Sequence, residues 1–145
     1  MREYTKLRNV NRGYMKLVVW QKAIDLAKLV SQLVPKQGLE LKLRAQIMDA
    51  AQSVGANISE GYSRRSINEY IQHLYIALGS MSEVFSRLLC VKETGLLADL
   101  EFRQFDVLHY EIENKMLNLI RSLEEKRKTG TWIDRLSEDL AEYNT

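Results

Sequence analysis

The stretch LRAQIMDAAQSVGANISEGYSRRSINEYIQHLYIALGSMSE, residues 43–83, decides the architecture. It reads as the end of one helix, a short turn at Gly61 and the front half of a second helix. Small residues (Ala50, Ala51, Gly55 and Ala56, then Ala77, Gly79 and Ser80) alternate with larger apolar ones. Two helices carrying such faces can approach closely. Ser66-Ile67-Asn68-Glu69 fits the S-x-x-E capping box, in which each side chain satisfies the other residue's exposed amide. Gly61 stands where the preceding helix is expected to end in a left-handed residue.

Outward from this stretch the apolar spacing stays helical. A helix over about 66–94 carries the stripe Ile67, Ile71, Leu74, Leu78, Met81, Phe85 and Leu88. Its steps of four and three residues suit shallow packing in a bundle, and Gly95 ends it. Upstream, a helix over about 39–60 shows Leu43, Ile47, Ala50, Ala51, Val54 and Ile58 on one face. A first helix over about 16–34 aligns Trp20, Ala23, Ile24, Ala27, Val30 and Val34, and Pro35 stops it. Downstream, Phe105, Leu108, Ile112, Met116, Leu119 and Leu123 mark a helix over about 98–128 that Gly130 closes. No stretch has a strand pattern. The expectation is an all-α chain with an antiparallel up-down-up-down four-helix bundle over 16–130. A short basic N-terminal arm, 1–15, precedes it, and a C-terminal extension, 131–145, follows. Trp132, Leu136 and Leu140 recur every four residues in that extension, so it is expected to dock on the bundle or on a partner.

Composition narrows the class. With 145 residues, 46% apolar and 28% charged, the chain is read as one soluble domain. One proline and seven glycines leave room for long helices and short connections. No apolar run approaches the roughly 20 residues of a membrane span, and the charged N-terminus has no secretory h-region. The single cysteine, Cys90, excludes an intramolecular disulfide, suits a reducing cytoplasm and is read as a buried small hydrophobe.

Charge is unevenly distributed. Residues 1–65 hold 12 Lys and Arg against 5 Asp and Glu, a balance of +7; residues 66–145 hold 9 against 14, a balance of −5. Such asymmetry suggests a positive face for an anionic partner. The candidate nucleic-acid-binding residues are Lys22, Lys28, Lys42, Arg44, Arg64 and Arg65, with Arg2, Lys6, Arg8 and Arg12 in the arm and Lys126-Arg127-Lys128 at the other end. The alternative is a solvated surface, or attraction between neighbouring helices or subunits.

The segments VWQKAIDLAKLV (19–30), LRAQIMDAAQSVGANISEG (43–61), Arg64-x-Ser66 and EYIQHLYIALGSMSE (69–83) resemble the ribosomal RNA intervening-sequence proteins, also called S23-type ribosomal proteins. The resemblance spans roughly residues 17–125. It implies a four-helix bundle that assembles into a homopentamer and performs no catalysis. Some such proteins are encoded within large-subunit ribosomal RNA genes. A related branch serves diversity-generating retroelements, where a basic pentamer surface binds nucleic acid and a reverse transcriptase. One departure stands out: family members commonly carry arginines just after the glutamine of the second helix, whereas here Gln46-Ile47 leads into Met48-Asp49.

Asn57, Glu60, Arg64 and Glu83 are the polar residues of that pattern. Read from the residues alone, Glu60 and Arg64 form a buried or half-buried pair fixing the turn, and Asn57 bonds backbone there. The other reading is a ligand or subunit contact. A di-iron centre would need several inward glutamates and E-x-x-H on two helices. The chain offers only Asp106-x-x-His109 and a Glu69/His73 pair, better read as a surface helix pair. No metal, cofactor or catalytic set is expected. The functional expectation is a non-enzymatic homo-oligomer that binds RNA or DNA, as an accessory to a reverse transcriptase or to ribosomal RNA. The alternative is a protein-interaction scaffold.

Overall fold

A computed structural model describes Leu7, residues 9–34 and residues 38–132. The described residues are all-helical, with no strand. A short 3-10 helix, Val10–Lys16, is followed by four long helices: α1 (Val18–Leu33), α2 (Leu41–Ser63), α3 (Ile67–Glu93) and α4 (Asp99–Thr129). Pro35 and the tail positions Leu136 and Leu140 lie outside the described residues, as do Arg2, Lys6 and Arg8.

Local chemistry accounts for several boundaries. Ser66 caps α3 by accepting from the Glu69 amide, at 3.4 Å. The Glu69 carboxylate turns instead to Arg64, at 3.7 Å. Gly95 (φ +84°) and Gly130 (φ +68°) follow α3 and α4 in the left-handed conformation that releases a helix end. Gly61 does something else. It lies buried inside α2, two residues before the helix ends. A Cβ there would stand 2.6 Å from the His73 Cβ and 3.3 Å from the Tyr70 carbonyl oxygen, so its lack of side chain lets α2 and α3 close on each other. The left-handed residue between these helices is Arg65, at φ +60°.

Packing joins each long helix to two others: α1 and α3 both lie against α2 and α4. The core runs through Leu26 and Val30 of α1, Ile47, Val54 and Ile58 of α2, Leu74, Met81 and Leu88 of α3, and Phe105, Ile112 and Met116 of α4. On α1 the buried stripe is Val19, Ala23, Leu26, Val30 and Leu33, one residue round from the expected one. The apolar run supports two overlapping stripes. Trp20 and Ala27 remain at the margin, and Ile24 is 37% exposed. Burial also moves from Leu78 to Ala77 on α3 and from Leu119 to Ile120 on α4.

Three further findings differ from expectation. Cys90 is exposed rather than buried, on the outer side of α3. Residues 10–16 of the basic lead-in form a helix on the bundle: its Tyr14 makes edge contacts with Trp20 of α1 (5.3 Å) and Tyr62 of α2 (6.2 Å). Finally, α3 is long and apolar enough to cross a membrane, its best 18-residue window having mean hydropathy 1.4. Its leucines, isoleucines and valines raise the average, and the helix packs against α2 and α4 along one face. Trp132, just past α4, packs partly buried on the core.

Candidate nucleic-acid interface

The six candidate cations fall into two groups. Lys22 of α1 is held by Glu111 of α4 at 3.0 Å. Arg64 donates to Glu60 at 2.8 Å and lies 3.7 Å from Glu69. Arg65, in its left-handed position, also has a partner. By contrast Lys28 and Lys42 are exposed and Arg44 is half-buried, and among the described residues none of the three enters an ion pair. Lys28 lies in the last two turns of α1, and Lys42 and Arg44 in the first turn of α2. The uncompensated positive charge therefore flanks the α1–α2 connection. At the far end of α4, Arg127 is drawn to Asn68 of α3 at 3.1 Å.

The four polar residues of the expected cluster are not gathered at one point. Glu60 and Arg64 pair at the end of α2 with about half of each side chain in solvent. The guanidinium bonded to Glu60 holds its carboxyl below the usual range, His73 adds to this, and the carboxylate in turn raises Arg64. A pair this exposed orients the corner more than it stabilises the fold. His73 belongs to the same corner: its Nδ1–H donates to the Glu69 carbonyl oxygen at 2.9 Å, and its Nε2 lies 3.5 Å from Glu60. The expected Glu69–His73 side-chain pair is thus a side-chain-to-backbone contact. Asn57 donates to the Ser53 carbonyl one turn back in α2, at 2.8 Å. Glu83 sits apart, accepting from Arg87 at 3.3 Å, and Arg87 reaches across to Gln46 of α2 at 3.1 Å. Gln46 therefore anchors α3, a role its surface-like sequence context gave no means of reading.

Behind this corner, Tyr62 and Tyr70 meet edge to face at 5.8 Å. Burial pushes the Tyr70 phenol far above its ordinary range, so it stays neutral. Tyr75 of α3 donates to Glu124 of α4 at 2.9 Å, a bond that raises its phenol.

The residue hardest to foresee is His109. It is 2% exposed, tilted against the rings of Phe85 (5.2 Å) and Phe105 (5.3 Å), and donates Nε2–H to the Met81 carbonyl oxygen at 2.7 Å. Its spacing, four after Phe105 and three before Ile112, is a core register, and that was the available signal. Among the described residues, no group of three or more His, Cys, Asp or Glu could hold a metal ion.

Comparison with known proteins agrees with this architecture. A solved protein of unknown function from the S23 ribosomal protein family of Bacteroides thetaiotaomicron is similar at a TM-score of 0.67 and 25% identity, over 72% of this chain and 96% of that one. Comparison with curated proteins finds no significant match. The profile of the 23S rRNA-intervening sequence proteins matches residues 15–118, which takes in α1, α2, α3 and most of α4. With so much of the helical framework matched, the chain belongs to the 23S rRNA-intervening sequence protein family.

Proposed function

We propose that this protein is a non-enzymatic, self-associating helical bundle that binds RNA or DNA electrostatically. The observation that carries the proposal is the set Lys28, Lys42 and Arg44 flanking the α1–α2 connection without ion-pair partners among the described residues. Cations already neutralised in cis, such as Lys22 by Glu111, release fewer counterions from a phosphate backbone. The family's name ties its members to ribosomal RNA, which makes structured RNA the first ligand to try. In a salt titration, log Kobs for structured RNA is expected to fall linearly with log salt. Charge reversal of the three cations (K28E/K42E/R44E) should flatten that slope by about 0.7–0.9 for each phosphate that is no longer neutralised. No measurable binding at low ionic strength would remove the proposal.

The antiparallel, up-down-up-down course of the four helices is part of this reading. It is supported by the short connections at 34–40, 64–66 and 94–98 and by the packing of each helix on two others. Self-association is supported by the outer face of α4. Leu100, Val107, Tyr110 and Leu117 recur there at steps of seven, three and seven, and the first three are more than 60% exposed. That is a second, near-heptad apolar seam beside the one the core uses. A ring of five, which the family resemblance implies, would multiply a modest basic patch fivefold. Sedimentation or native mass spectrometry is expected to find an oligomer that V107E/Y110E converts to helical monomers. A wild-type chain that stays monomeric at high concentration would overturn this part. A neighbouring reverse-transcriptase gene, or a position within a ribosomal RNA gene, would distinguish the two accessory roles.

A further inference from the structure

Between α3 and α4 lies an open cleft of about 260 Å³ lined by Ser82, Phe85, Ser86, His109 and Glu113. Ser82 and Ser86 are one turn apart on α3, and His109 and Glu113 are one turn apart on α4, so two pairs of polar side chains face one cleft. Because a carbonyl oxygen only accepts, the bond to Met81 requires the proton of neutral His109 on Nε2. Its Nδ1 then presents a lone pair. That atom is buried without a hydrogen-bond partner. Glu113 Oε1 stands 3.1 Å away, within ion-pair distance but out of line for a hydrogen bond. Two acceptors this close call for a donor between them.

We infer that this cleft binds a primary ammonium group. The chemistry of the lining selects it. Glu113 and the Nδ1 lone pair only accept, the two serine hydroxyls can accept, and Phe85 supplies the aromatic wall that cations favour. An anion would meet the Glu113 carboxylate. A metal ion would find just two strong donors, since no third His, Cys, Asp or Glu joins them among the described residues. The cleft is also much larger than one ion or water requires. Nδ1 is closed to water, but the Glu113 side chain keeps 35% of its surface exposed and can swing to admit an N–H donor between itself and the ring. The ammonium can come from a free amine or from a lysine side chain, and the site's chemistry is the same for both.

The test follows the imidazole nitrogens of His109 by NMR, assigned against a His73→Gln variant because the chain has two histidines. The full chain is titrated with 1,4-diaminobutane, with a lysine-containing peptide and with tetramethylammonium. A saturable shift at His109 with either of the first two, at least about tenfold weaker in Glu113→Gln, is the expected result. Whichever of the two binds more tightly identifies the source. Where Glu113→Gln fails to fold, S82A/S86A, altered at two exposed positions, supplies the same comparison with a several-fold loss. No saturable shift up to about 10 mM, an equal shift with tetramethylammonium, which has no N–H to donate, or a shift unchanged in the variants would overturn the inference.

Discussion

Phe105→Ala is expected to lower the stability of the fold by about 3–5 kcal/mol, and its melting temperature by roughly 10 °C. Phe105 is fully buried and sits at the centre of an aromatic group, 5.8 Å from Phe102, 6.4 Å from Phe85 and 5.3 Å from His109. Truncation removes the ring's transfer free energy and leaves a void, because α3 and α4 are braced by Tyr75–Glu124 and Arg127–Asn68 and cannot fully collapse into it. The void would also open beside His109, whose single strong hydrogen bond is to the Met81 backbone. Phe105→Leu fills most of the space and should cost distinctly less. Urea unfolding of the two variants checks the ordering, and a loss below about 1 kcal/mol for the alanine variant would contradict the packing described for this core.

Gly61→Ala should destabilise the protein by about 1–3 kcal/mol, although alanine is the better helix former. The new Cβ would meet the His73 Cβ at 2.6 Å and the Tyr70 carbonyl oxygen at 3.3 Å. One of these is backbone and the other is rooted at a Cα, so relief comes only by moving α3 away from α2. That displacement would also loosen the Glu60–Arg64–His73 corner and the Tyr62–Tyr70 contact. Gly79→Ala is the matched control. A Cβ there meets nothing within 4 Å, so the change should stabilise α3 by about 0.5–1 kcal/mol through helix propensity alone. The same substitution is thus expected to act with opposite signs at two glycines 18 residues apart. Thermal melts of both variants give the answer, and a Gly61→Ala protein more stable than the parent would refute the close approach.

Those two glycines also mark how far local reading extends. The four long helices, the Ser66 cap and the left-handed Gly95 and Gly130 all depend on neighbours within a turn or two, and their signals lie in consecutive residues; the 3-10 helix Val10–Lys16 was not foreseen. The match of 43–83 to a family pattern is of the same kind, because it is carried by contiguous residues. Gly61 was legible as a glycine with a task, yet its task lies with Tyr70 and His73 across the turn and not in its own backbone angle.

The candidate site was legible only as a list of cations. Sequence located the excess of positive charge in the first 65 residues, since charge is a property of composition. Which cations remain open was decided by partners brought in from elsewhere: Glu111 reaches Lys22 from α4, while Lys28, Lys42 and Arg44 meet no carboxylate among the described residues. The same distinction separates the two overlapping stripes on α1. Periodicity permits either, and packing against α2 and α4 selects the one through Val19, Leu26 and Leu33. His109 is the clearest instance. Its sequence neighbours place it on the core side of α4, but its hydrogen-bond partner lies 28 residues away on α3. The chain by itself determined four amphipathic helices and the ends of α3 and α4, because helix formation and capping are short-range. Only the tertiary structure decided which polar groups are paired, because pairing is set by residues that meet in space and stand far apart in the chain.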